Sequence, residues 1–164
     1  VLIAEQYYVI ENASTSVSNG KTYTEIHYSY YYNDVMALNF NGSGGLDWKA
    51  KIAKRQRSED DGGLYSSYLP YYKDNKLYII YNDTPKNQMM KPGGAPEYFI
   101  PGKDCQVVMA VIDEKGNVSR ESIPGISDGK FMICPSSSKV YPGAEIMLYL
   151  SDFKSYKFAR VNIK

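Results

Sequence analysis

Apolar residues in this chain fall in short runs or strict alternation, cut at intervals by Gly, Asn, Asp and Pro, and helical periodicity is nearly absent. This pattern predicts an all-β fold. Val1 to Ile10 reads as a first strand and Thr22 to Tyr31 as a second, with Asn19-Gly20 between them. That dipeptide accepts the positive φ angles of a two-residue hairpin turn. Asp34 to Phe40 and Leu46 to Ala53 read as a third and fourth strand joined by the turn at 41–45, where Gly supplies three of five residues. Beyond the acidic segment 58–63, strands are predicted at Leu64 to Tyr68, Lys76 to Asn82, Gln106 to Asp113 and Val118 to Ile123. Three more follow at Lys130 to Cys134, Glu145 to Leu150 and Tyr156 to Ile163.

Residues 83–104 interrupt the rhythm with four prolines and three glycines, a composition that excludes a central strand. A connection this long is either functional or disordered. Met89, Met90, Tyr98 and Phe99 within it are the candidate binding residues, since thioethers and aromatics are favoured at interfaces. The structural alternative is that the same side chains fold back over a sheet edge and serve packing.

A weak internal similarity underlies the strands. Residues 35–52, 108–123 and 146–163 each read as an apolar strand, a turn and a second strand ending in Ile, with Met36, Met109 and Met147 in matching places.

Composition then narrows the class. Tyr contributes 17 of 164 residues, and Tyr suits half-exposed sheet faces, where the ring packs and the hydroxyl stays wet. Lys and Arg number 19 against 18 Asp and Glu, a balance that gives no sign of the clustered positive charge nucleic acid requires. The basic stretch Lys49, Lys51, Lys54, Arg55 and Arg57 alternates with Ala50 and Ile52, as a half-buried strand does. No apolar run reaches the length of a membrane-spanning helix. A chain starting at Val1 without Met or leader reads as processed, or as part of something longer. Cys105 and Cys134 allow either one disulfide or two buried thiols. Asn12, Asn41, Asn82 and Asn117 begin Asn-x-Ser/Thr triplets, meaningful as glycan acceptors only in a eukaryotic secretory host.

Catalytic chemistry finds little to use. His27 is the single histidine, set on a Tyr-rich strand, and neither cysteine sits in a nucleophile motif. One His with two distant Cys lacks the close ligand pairs of a zinc site. The Glu59-Asp60-Asp61-Gly62-Gly63 turn lacks the spaced acidic ladder of a calcium loop and reads as solvated turn chemistry. No cofactor is expected.

The run from Tyr32 to Tyr68, followed by 74–87, resembles the repeat region of β-propeller-like extracytoplasmic proteins of Bacteroidota. The matching positions are Asn33 and Asp34, Gly45, Trp48, Lys54 and Gln56, then Asp61 to Gly63, Ser66 to Tyr68 and Tyr81 to Asp83; Ala4 to Tyr8 also looks like the start of a blade. The resemblance covers about the first 90 residues well and the rest loosely. It implies antiparallel four-stranded sheets arranged as propeller-like blades, about two and a half to three in one domain over 1–164, divided near 1–57, 58–124 and 125–164. A closed propeller takes four or more blades. The ring would therefore be completed by chain beyond this one or by a homo- or hetero-oligomer. The resemblance further implies an extracytoplasmic setting in the periplasm, outer membrane or cell surface, with a protein or glycan of the cell envelope as partner.

Two functions are carried forward. The first is a non-catalytic binding or scaffold module of the envelope, as a fragment or subunit of a larger assembly. The alternative is a glycan-acting enzyme using paired carboxylates drawn from Glu5, Asp34, Asp83 and Asp113, which requires two acids facing one aromatic-lined cleft.

Overall fold

The computed structural model of the chain describes residues 1–91, 93–126, 129–142 and 145–163. They form three antiparallel four-stranded sheets in chain order, and no helix among them is long and apolar enough to cross a membrane. The first sheet holds β1 (Leu2–Ser18), β2 (Lys21–Phe40), β3 (Leu46–Ile52) and β4 (Gln56–Glu59). In it β1 flanks one edge of β2, while β3 and β4 share the other edge in succession. The middle sheet is β5 (Leu69–Lys73), β6 (Lys76–Asp83), β7 (Gln106–Ile112) and β8 (Val118–Ser122), paired in that order. The last contains β9 (Met132–Ile133), β10 (Lys139–Tyr141), β11 (Glu145–Ser151) and β12 (Tyr156–Asn162).

The middle sheet is covered on both faces, which explains why β6 reads as an unbroken apolar run rather than an alternation. Leu77, Ile79 and Tyr81 of β6, with Val108, Ala110 and Ile112 of β7, pack on Val35, Ala37, Ala50 and Ile52 of the first sheet. From the opposite face, Tyr78, Ile80 and Val107 meet Ile146, Leu148 and Leu150 of the last. Each fully buried Ile or Leu contributes about 1.5–3 kcal/mol of transfer free energy. The two end sheets are covered on one face only. Leu2, Met36 and Phe40 of the first, and Tyr141, Tyr156 and Phe158 of the last, are exposed.

A third cluster of Tyr65, Phe99, Cys105, Met132 and Cys134 closes one end of the stack. Cys105 and Cys134 are thiols here. Cys105 Sγ donates to Gly129 O at 3.3 Å, and burial pushes the Cys134 thiol up to about 11.

Several strand expectations need correction. The segments predicted as Thr22 to Tyr31 and Asp34 to Phe40 are one strand, β2. Asn33-Asp34 is no break but a bulge within β2: the two residues together face Gln6 of β1, between the pairs Glu5↔Val35 and Tyr7↔Tyr32. Residues 64–68 form turns instead of a strand, with Ser67 at positive φ (70°), and the pairing strand is β5 just beyond. The short strands β4 and β10 had no periodic signal.

Candidate functional site

Of the positions that carried the resemblance, Lys54, Gln56, Ser67 and Asn82, with Glu5 of the opening segment, converge on one buried polar seam. Lys54 is 0% exposed. Its Nζ donates to Tyr32 O at 3.0 Å and Gln56 Oε1 at 2.8 Å, and pairs with Glu5 Oε1 at 2.6 Å. Oxygens of three residues thus surround the ammonium. Burial lowers the Lys54 pKa, and the neighbouring Glu5 carboxylate opposes that. Gln56 Nε2 donates to Asn82 O at 2.8 Å, and Ser67 Oγ to Glu5 Oε2 at 2.7 Å. Asn82 Nδ2 donates to both Tyr65 O and Ile133 O at 2.8 Å, and Ile133 N returns a bond to Asn82 Oδ1. The seam ties β1, β4, β6 and β9, hence all three sheets, and is shut away from solvent. Its role is architectural. Asn82, a glycan-acceptor triplet in sequence, is wholly inside it.

The four loop residues separate. Met89 is 93% exposed at the end of a short 3-10 turn, Pro85–Met89. Met90 lines an open cleft of about 840 Å³ between the loop and the first two sheets. Phe99 is 0% exposed in the third cluster. Its N–H donates to Arg55 O at 2.8 Å and its carbonyl accepts from Arg57 N at 2.9 Å, fastening the loop to β4. Phe99 is therefore a packing anchor and is unavailable to a partner. Tyr98, its neighbour, stays on the surface. The loop is ordered from within by Asn87, which donates to Asp83 Oδ1 (2.6 Å) and Glu97 O (3.0 Å) and accepts from Glu97 N (2.8 Å).

The four candidate carboxylates are likewise spoken for. Glu5 belongs to the seam. Asp34 and Asp83 both line the cleft, but Asp34 Oδ2 pairs with Lys51 at 2.8 Å. Asp83 Oδ1 accepts from Thr84 N and Asn87 Nδ2, while burial raises its pKa. Asp113 caps the β7–β8 turn by accepting from Lys115 N and Asn117 N, and the Asn117 bonds lower its pKa. Among the described residues that line the cleft none is aromatic, so no stacking surface for a sugar ring faces this pair of acids.

What sequence reasoning missed is the reach of the first hairpin. Every residue from Gln6 to Tyr28 is exposed. Eight residue pairs, Glu11↔Tyr28 to Ser18↔Lys21, continue past the last strand beside them, an arm of roughly 25 Å at about 3.4 Å per residue. The Asn19-Gly20 turn closes it, with φ of 50° and 72° as a type I′ turn needs. Alternation gives the arm two unlike faces. One carries Val9, Glu11, Ala13, Thr15 and Val17 opposite Tyr30, Tyr28, Ile26, Thr24 and Thr22; the other pairs Asn12, Ser14, Ser16 and Ser18 with His27, Glu25, Tyr23 and Lys21. The first face is nearly uncharged and open, Val17 being 72% exposed. The signal was present in the alternation of Val9, Ala13 and Val17 through a Ser/Thr-rich run that resembles a loop in composition.

At the base of the arm lies an aromatic ledge. Tyr8 stacks on Tyr31 with centroids 4.6 Å apart, and Tyr31 meets Tyr98 edge-on at 6.1 Å. Arg57 lies over the Tyr31 ring at 5.7 Å and Arg55 over Tyr98 at 5.5 Å. Here also His27 Nδ1 meets Asp60 Oδ2 at 2.8 Å, while Asp60 Oδ1 accepts from Tyr28 N at 2.8 Å. The Asp60 bond raises the His27 pKa.

No family model, curated protein or solved structure matches the chain, so its function is read from this geometry alone.

Proposed function

We propose that the chain is a non-catalytic binding or scaffold module of the cell envelope, acting as part of a larger assembly through the β1–β2 arm. The observation that carries this reading is the arm itself. It projects an apolar, unpacked face of Ala13, Val17, Ile26 and Tyr28 beyond the other described strands, with Val9 at its base. Water-exposed apolar surface of this kind marks an interaction site, because leaving it wet forfeits about 25 cal/mol per Å². The Tyr8, Tyr31 and Tyr98 ledge with its two arginines lies at the base of the hairpin on its opposite face, the one that carries Asn12 and His27, and adds a second contact surface in the residue types that dominate interfaces.

The three stacked sheets are, on the same proposal, successive propeller-like blades of an extracytoplasmic ring completed by other chain. Its support is the chain-order stacking, the open outer faces of both end sheets, and the placement of Met36, Met109 and Met147 in β2, β7 and β11. Each of those strands is paired antiparallel with the strand that follows it.

The test removes the arm and keeps the body. Replacing residues 12–27 by Asn-Gly joins the facing pair Glu11 and Tyr28 through a two-residue turn. The truncated chain should unfold at nearly the wild-type temperature. It should lose the envelope component that wild type captures covalently from a photo-reactive side chain placed at Val17 or Ile26. Undiminished retention of that component by the truncated chain would remove the arm from the contact.

A further inference from the structure

The backbone edges of the arm are as informative as its faces. Among the described residues β1 pairs only with β2, so its other edge carries N–H and C=O groups without a strand partner along the whole arm. Folded proteins blunt such edges with Lys, Pro, bulges or short strands, because an open edge templates pairing with another chain. On the β2 side of the arm, residues 21–27 carry Lys21, Glu25 and His27. On the β1 side, residues 7–18 include no Pro, Lys or Arg, and a single charge, Glu11; the register shift against β2 lies at the body end, opposite Gln6, and its extra residue belongs to β2. One edge is guarded and the other is left open.

We propose that the open β1 edge pairs antiparallel with the same edge of a second copy of this chain, about a two-fold axis through Ala13. This rests on the reading of the arm as the contact element and names its partner. Residue pattern selects the register. Centring the axis on Glu11 sets two carboxylates against each other, which is destabilising for directly opposed residues. Centring it on Ala13 places Val9 opposite Val17 of the partner subunit, Glu11 opposite Thr15 of the partner subunit, and Asn12 opposite Ser14 of the partner subunit. Val9 and Val17 thereby form a β-branched pair on each side of the axis, and no charge faces its like. A two-fold axis makes the contact self-complementary, as closed homo-oligomers require. The joined arms form a four-stranded ribbon, which passes the three strands with an apolar face that independent stability needs.

The register makes two lysine substitutions act in opposite directions. Ala13→Lys sets lysine against lysine across the axis. Thr15→Lys sets each new lysine against Glu11 of the other chain, twice per dimer. Both variants add one positive charge to a chain whose formal net charge is +1, so general repulsion between copies is equal in the two. Both positions are exposed on the arm, where such changes leave the fold intact; circular dichroism and the thermal transition check this.

Light scattering after size exclusion, from about 1 µM to about 1 mM chain, gives the dissociation constants. Wild type should pass from the mass of one chain to that of two. Ala13→Lys should weaken the dimer by about tenfold or more, and Thr15→Lys should tighten it several-fold. A wild-type mass that stays at one chain throughout overturns the proposal, as do lysine variants that both weaken the dimer. The truncation of residues 12–27 separates this failure from failure of the arm as contact element. If wild type is monomeric yet truncation still abolishes envelope capture, the arm binds something other than its own copy and only the self-pairing falls. If truncation leaves capture intact, the contact reading falls with it.

Discussion

The middle sheet and the β1–β2 arm are made of the same kind of strand and meet opposite fates. β6 is buried at every position but Lys76, its alternate residues shared between two neighbouring sheets. The arm is buried nowhere between Gln6 and Tyr28. Tyr, Val and Ile supply both, so residue type does not separate them. The difference is what stands beside each strand. β6 has strands at both edges and sheets on both faces, whereas the arm is a two-stranded ribbon with no sheet on either face among the described residues. Most of the folding free energy therefore belongs to the stack, and the arm is held by its turn, its cross-strand pairs and its base. A two-stranded ribbon on its own is marginal in water.

The largest expected effect breaks the stack side of this contrast. Lys54→Ala leaves Glu5, only 10% exposed at its side chain, without its 2.6 Å partner. Removing one member of a buried ion pair costs about 3–5 kcal/mol, a large share of the about 5–15 kcal/mol that holds an ordinary domain folded. Ile26→Ser on the arm should change stability by no more than about 0.5 kcal/mol, since nothing packs on that side chain beyond its own ribbon. Urea titration of both variants measures the difference; equal losses would mean that the arm shares the body's core.

How much of this could be read from the sequence follows the same division. The all-β class, the Asn19-Gly20 hairpin and the strand at β6 were legible, because alternation, turn chemistry and short apolar runs are local signals; the cover on both faces of β6 was not read from them. The seam was visible as residues without a role: Lys54, Gln56 and Asn82 stood out in sequence, but only the meeting of β1, β4, β6 and β9 makes them one network. Phe99 and Tyr98, adjacent in a loop of uniform composition, point to opposite fates because one alternation step turns a side chain from core to surface. The arm was hidden most deeply. Residues 11–18 are Ser-, Thr- and Asn-rich, the composition of a connection, and strand character there comes from register with β2, a non-local property.

Amide exchange gives the next contrast in size. Stack amides of β6 and β7 open only with the whole fold, whereas arm amides beyond Glu11 and Tyr28 open by fraying from the turn. Protection in the arm should be lower by on the order of a thousandfold or more, given a global stability of about 5 kcal/mol or above. The β1–β2 amides should gain protection with rising concentration if the β1 edge finds a second copy. Arm amides as protected as β6 in dilute monomer would place the arm inside the cooperative core and erase the distinction.

The smallest effect acts where the two regions join. His27 and Tyr28 are tied to Asp60 of the turn after β4, which fixes the angle at which the arm leaves the body. Hydrogen bonding to Asp60 holds the imidazole pKa above its ordinary 6.5, and bonding to His27 holds the Asp60 carboxyl below its ordinary 3.8. A raised histidine pKa contributes stabilisation fully present below 6.5 and lost as pH climbs through the folded value. A lowered aspartate pKa contributes stabilisation present above 3.8 and lost as pH falls through its folded value. The tie is therefore strongest between these limits, in mildly acidic solution, and loosens on the alkaline side. Because the chain has 1 histidine, its imidazole resonances report the site without ambiguity. Titration by NMR should give a His27 midpoint above 6.5 that returns to the ordinary value in Asp60→Asn. Exchange of the Tyr28 amide should quicken between pH 6 and 8 beyond its intrinsic base catalysis in wild type, and this excess should vanish in the variant. A His27 midpoint at or below 6.5 in wild type would show that the arm's base is held by Tyr28 and the strand ladder alone.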